Sequence, residues 1–206
     1  MLAEWNELAF EQYRHEIQMK PGAAKCLSLI EEKELPMAVA TSNTRKLAMT
    51  ALHAQDIEHY FRVIMTGEDV VKGKPDPFVY QEAARRLGVN PKNCLVFEDI
   101  PEGIQAGLSA GMTVCAVQDD FSDYQIEEKK KLAHYYINSF EDIFNNKVEV
   151  LDPSAIFRIR NGTRNPGDPE QFASAVASFV ARELCTPRDI SAVAELLGCE
   201  VDDIGD

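Results

Sequence analysis

The chain has 206 residues, 45% of them hydrophobic and 27% charged, enough for one soluble globular domain with a substantial core, alone or with an appendage. A net charge of −13 argues against nucleic acid or an anionic membrane surface as a partner, because phosphate backbones are bound by concentrated Lys and Arg. No stretch approaches the ~20 apolar residues of a membrane span, the first residues are polar where a signal peptide is apolar, and the five cysteines contain no Cys-x-x-Cys pair, which together indicate a reducing cytoplasm.

Taken in chain order, residues 3–18 are predicted to be helical, with Trp5, Leu8, Ala9, Tyr13 and Ile17 on one face, and Pro21 and Gly22 end that segment. A helix over 23–34 leads through Leu35 and Pro36 into a strand at 37–40, whose carboxyl end carries Thr41, Ser42 and Asn43. A helix over 44–54 and a strand at 62–65 follow. Gly73-Lys74-Pro75-Asp76-Pro77 then sets a lysine on a stiff loop before a helix at 78–87. The strand at 95–97 ends in two carboxylates, Glu98 and Asp99, and is followed by a helix at 101–110 and strands at 112–117 and 135–137. Lys129 to Lys131, placed after Glu127 and Glu128, read as a solvated helix face. Strands alternating with helices predict an α/β fold in which helices cover both faces of a parallel sheet. In such a sheet ligands sit at the carboxyl ends of the strands, where Thr41, Glu98 and Asp99 fall.

A boundary is expected near residue 148. Residues 1–147 hold eleven lysines and five arginines, whereas residues 148–206 hold five arginines and no lysine. In this tail Asp168 caps a predicted helix with Pro169 at its first position, Phe172, Val176, Phe179, Val180 and Leu184 form its apolar stripe, and a second helix runs from Pro187 toward Gly198. Val148 to Leu151 and Ala155 to Ile159 read as short strands.

Each motif has a plain alternative. Thr41 after an apolar strand is equally an N-cap for the helix that follows it. Lys74 does not sit in a P-loop, since Gly67 and Gly73 are wrongly spaced and Pro75 replaces the required Ser or Thr. Glu98 and Asp99 make an acidic turn, yet adjacent carboxylates repel unless a cation or donors offset them, and Mg²⁺ is the hard cation that suits them. His15, His53, His59 and His134 have no metal-ligand spacing, and Asn161-Gly162-Thr163 matches a glycosylation sequon without a secretory context.

Taken together, the hydroxyl of Thr41, Lys74 in Gly-Lys-Pro-Asp-Pro, and the run Phe97-Glu98-Asp99 with Pro101 and Gly103 resemble motifs two to four of the haloacid dehalogenase (HAD) superfamily, closest to its β-phosphoglucomutase-like branch. The resemblance covers residues 3–147 and implies a Rossmann-like parallel sheet, with 1–20 a remnant of the helical cap, 21–147 the core and 148–206 a helical appendage. It also implies that Thr41, Ser42 and Asn43 bind a phosphoryl group, that Lys74 neutralises it and links it to the acidic motif, and that Glu98 and Asp99 hold Mg²⁺. Phosphoryl transfer asks mostly for such positioning and charge stabilisation.

The family's first motif, an apolar strand ending in Asp-x-Asp-Gly-Thr, occurs nowhere in the sequence. By resemblance it carries the nucleophile and the acid-base, and its strand lies centrally, between the strands ending at Thr41 and Glu98. A gap there leaves unpaired backbone groups on both neighbours, at about 1–3 kcal/mol each when buried. It is expected to be filled by Val148 to Leu151 in a permuted arrangement that would bring Asp152 into the site, closed by the neighbouring strands, or filled by a strand from another copy or a partner.

Three functions are therefore expected in competition. The first is a phosphatase or phosphomutase of small phosphorylated metabolites, here a truncated form with impaired or lost catalysis. The second is a non-catalytic phosphate and Mg²⁺ binder, and the third an interaction module acting through the tail, whose Ser191 to Gly198 faintly resembles a helix-turn-helix that the acidity disfavours for DNA.

Overall fold

The computed structural model describes residues 10–152, other than 12, 16, 17 and 146. The expected tail helices, the strand at 155–159 and the first nine residues lie outside the described residues. Residues 10, 11 and 13–15 are helical, in keeping with the predicted first helix.

Six strands and six helices then follow. β1 (Met37–Ala40) pairs in parallel with β2 (Phe61–Met65), Ala40 lying opposite Met65. β3 (Leu95–Glu98), β4 (Thr113–Val117) and β5 (Tyr135–Ile137) form a second parallel run in that order, with Glu98 opposite Ala116. The helices are α1 (Ala23–Glu32), α2 (Arg45–Ala54), α3 (Phe78–Leu87), α4 (Pro101–Ser109), α5 (Ile126–Leu132) and α6 (Glu141–Phe144). None of the described helices is long and apolar enough to cross a membrane.

β4 shows why the sheet is sandwiched. Thr-Val-Cys-Ala-Val is buried at every position. Val114 and Ala116 join Met65, Val79, Ala84 and Ile104 on one face, while Cys115 and Val117 join Cys26, Ile143 and Val148 on the other. A strand alternates its side chains between faces, so a continuous apolar run is what burial on both sides requires. α3 and α4 thus cover one face, and α1 and α6 the other.

Three expectations are corrected here. Val148 to Leu151 does not enter the centre of the sheet: β6 (Glu149–Val150) pairs antiparallel with β5 at the outer edge, carrying the sheet past the expected boundary at 147. The Asp152 N–H donates to the His134 carbonyl at that same edge, 3.2 Å away, so the permuted arrangement fails on geometry. Lys129, read as solvated, is fully buried.

Nor do β1 and β3 close up. They are unpaired with each other, and a cavity of about 440 Å³ lies between them, its walls including Tyr80 and Ala84 of α3 on one side and Cys26, Ile30 and Phe140 on the other. Two strand edges and two helical faces bound this slot. Among the described residues none fills it.

Candidate active site

The loop after β1 is folded by its own hydrogen bonds. The Thr41 N–H donates to the Met65 carbonyl at 3.0 Å, continuing the strand pairing, and Thr41 Oγ1 accepts from the Asn43 N–H at 3.1 Å. The cap of α2 is Thr44, whose side chain accepts from the Leu47 N–H at 3.4 Å, so the hydroxyl of Thr41 is not used as the cap. Asn43 Nδ2 donates to the Tyr13 hydroxyl at 3.1 Å, and Ser42 is exposed. Behind the loop stands Gly67. Its N–H donates to the Asn43 carbonyl at 2.9 Å, and a Cβ there would come within 2.6 Å of the Ser42 carbonyl oxygen, closer than real side chains approach.

Lys74 joins the two halves of the sheet. Its Nζ donates to the Ala40 carbonyl, one residue before Thr41, at 3.1 Å, and forms an ion pair with Glu98 Oε1 at the end of β3. Both side chains are buried, at 9% and 6% exposure. The Tyr80 hydroxyl donates to the same Glu98 oxygen, and the ring of Tyr80 lies 5.1 Å from the Lys74 Nζ. Burial and the neighbouring Glu98 carboxylate push the tyrosine pKa up, so it remains a neutral donor.

Asp99 is the next residue. Its N–H donates to Glu98 Oε2 at 3.2 Å, and its carboxyl pKa is raised by burial and by the carboxylates of Glu98 and Asp119. Asp119, just past the end of β4, accepts from Lys20 Nζ at 2.6 Å, and that lysine holds it below the usual carboxylate range although burial works the other way. Asp99 thus lies among buried negative charge that a divalent cation could offset. Among the described residues no group of three or more His, Cys, Asp or Glu side chains encloses an ion. Glu98 is already held by Lys74 and Tyr80, so of the two carboxylates Asp99 is the one that could hold a cation. Such an open set suits Mg²⁺, which keeps several waters and needs only one or two carboxylates.

The structure therefore brings together Thr41 with its loop, Lys74, Glu98 and Asp99, linked by the Lys74 ammonium. Tyr80, Asp119 and Lys20 were missed from sequence. Asp119 follows an apolar strand as Glu98 does, which was a usable signal. Tyr80 shares a helix face with Ala83 and Ala84, and a buried tyrosine needs a partner for its hydroxyl.

Gly103 in the first turn of α4 lets that helix close over the site. A Cβ added there would land on the carboxylate of Glu98. Gly103→Ala is expected to displace Glu98 from Lys74 and Tyr80 and to cost about 1–3 kcal/mol by overpacking. A urea melt showing no loss of stability would contradict this.

Comparison with known proteins gives the family. The family model described as haloacid dehalogenase-like hydrolase matches residues 1–117. A phosphorylated carbohydrates phosphatase of Thermotoga maritima is 38% identical over 96 residues, 47% of this chain and 44% of that protein. The crystal structure of β-phosphoglucomutase from Clostridium difficile superposes with a TM-score of 0.53 at 25% identity, covering 60% of this chain and 51% of that one. A HAD family hydrolase from Deinococcus radiodurans, solved with bound phosphate and sodium, gives 0.56 at 26% identity over 60% and 56%. The chain spans about half the length of the curated relatives it matches. With more than half its residues matched by that model, and with its strand-end residues in this arrangement, the chain belongs to the haloacid dehalogenase-like hydrolases.

Proposed function

We propose that the chain forms the phosphate- and Mg²⁺-binding part of a phosphatase or phosphomutase site for small phosphorylated metabolites, and that its 206 residues alone do not turn substrate over. The observation that carries this reading is the position of Lys74, whose ammonium touches the strand end beside Thr41 and the strand end beside Asp99. Two of its three N–H bonds are used there, which leaves one for a phosphoryl oxygen. Thr41 Oγ1 accepts from Asn43, so its own proton is free to donate outward. Ser42 and Asn43 extend this donor set along the loop. Asp99, with Glu98 behind it, takes Mg²⁺, which supplies positive charge to the transferring group.

Turnover is withheld because no Asp-x-Asp-Gly-Thr strand is present in the sequence. Calorimetric titration with phosphate in the presence of Mg²⁺ is expected to show binding that Thr41→Ala and Lys74→Ala each weaken at least about tenfold, the value of one charge-assisted hydrogen bond. A flat isotherm for the unaltered chain would remove the reading. Hydrolysis of p-nitrophenyl phosphate by the chain alone would remove its second half.

The slot between β1 and β3 favours a second element: association with another copy or a partner that lends a strand. Sedimentation velocity across a concentration series is expected to show this as reversible self-association, and a monomer at all concentrations would exclude the copy as donor.

A further inference from the structure

Lys129 is the one fully buried lysine among the described residues, and the phosphate-binding reading does not use it. Its Nζ donates to the Val117 carbonyl at the carboxyl end of β4, 3.3 Å away, and to Ser122 Oγ at 3.0 Å. Ser122, also buried, donates in turn to the Asp99 carbonyl at 2.6 Å. A chain of three bonds therefore ties α5 to the loop after β4 and that loop to the loop after β3. Both acceptors of the ammonium are neutral. Burying a cation on neutral partners is costly, and burial pushes the Lys129 pKa down while the carboxylates of Asp99 and Asp119 oppose the shift. A side chain serving only to fill the core would be apolar, since an aliphatic residue of that length carries none of this cost.

We propose that Lys129 and Ser122 are positioning residues that clamp the backbone of Asp99 and so set the direction in which its carboxylate meets a divalent cation. The inference rests on the Mg²⁺ reading of Asp99. Groups that orient a ligand without touching the ion typically change its affinity 10- to 100-fold.

The sign of the effect separates this role from two simpler ones. On charge alone, removing a cation near Asp99 would tighten Mg²⁺ binding. On packing alone, Lys129→Met would leave binding unchanged. Clamping predicts that Lys129→Met and Ser122→Ala each weaken Mg²⁺ binding roughly tenfold in calorimetric titration, with the melting temperature of Lys129→Met held or raised. The double variant is expected to be no weaker than the worse single, because the bonds act in series. Hydrogen exchange at the amides of Asp99 and Ile100 is expected to quicken in both single variants. Tighter or unchanged Mg²⁺ binding in Lys129→Met, or fully additive losses in the double variant, would overturn the proposal. If the unaltered chain takes up no Mg²⁺, the functional reading fails separately and exchange alone decides: faster exchange in both variants supports the clamp, and unchanged rates sink it.

Discussion

Adding a synthetic peptide with an apolar strand of four or five residues followed by Asp-x-Asp-Gly-Thr is expected to raise p-nitrophenyl phosphate hydrolysis from background to a measurable, Mg²⁺-dependent rate. The length is matched to the walls, since β1 and β3 have four residues each. Lys74 touches the carboxyl end of each, so a strand inserted parallel to them is expected to find donors and acceptors on either side. Both faces of the slot are apolar, so the strand must be apolar throughout. Each backbone group paired on insertion removes a penalty of about 1–3 kcal/mol where it is buried. A peptide present at a hundred times its dissociation constant would stabilise the chain by about 2.7 kcal/mol, visible as a raised melting temperature.

Cys26 and Cys94 give an independent readout of the same event. Both line the slot, and burial pushes their thiols up to about 12 and about 11. Near neutral pH they are therefore protonated and slow to alkylate. With the peptide bound, alkylation of these two, located by mass spectrometry, is expected to slow further. A scrambled peptide that protects and activates equally well would show that the slot is not read as a strand site. Protection without hydrolysis would keep the slot and remove the catalytic completion.

Strand and helix positions were legible because the core is apolar on a two-residue or a three-to-four-residue period. Thr113 to Val117 could hardly be anything but a strand buried on both faces. Pairing was less legible. Val148 to Leu151 has a strand's composition, but nothing local says whether it joins the centre of a sheet or its rim, and the bonds from Leu151 and Asp152 to His134 decide for the rim. Thr41 and Thr44 are both hydroxyls before one helix, and only the fold shows that Thr44 caps it. The three consecutive lysines of α5 give no register by themselves. Lys129 is the buried one because its side chain turns in to the Val117 carbonyl at the end of β4, whereas Lys130 turns out to Glu149. Long-range partners such as Tyr80 with Glu98, or Ser122 with Asp99, leave no mark in the local pattern.

The second large effect concerns the Lys74 and Glu98 pair, where stability and function pull on one contact. Glu98→Leu is expected to destabilise the chain by about 3–5 kcal/mol, since it strands a buried ammonium and leaves the Tyr80 hydroxyl without its acceptor. Against a typical total of about 5–15 kcal/mol this is a large fraction. Lys74→Met should cost a similar amount by stranding the carboxylate. The double change Lys74→Met with Glu98→Leu is expected to recover most of the loss, because a buried ion pair replaced by apolar groups of similar size is often neutral or better. Phosphate binding does not recover and stays lost in the double variant, since the Lys74 ammonium is no longer there to face the anion. Urea unfolding of the four proteins gives the coupling energy directly. Full additivity of the two single losses would mean that the pair is not coupled, and with it would go the link between the two strand ends on which the site is built.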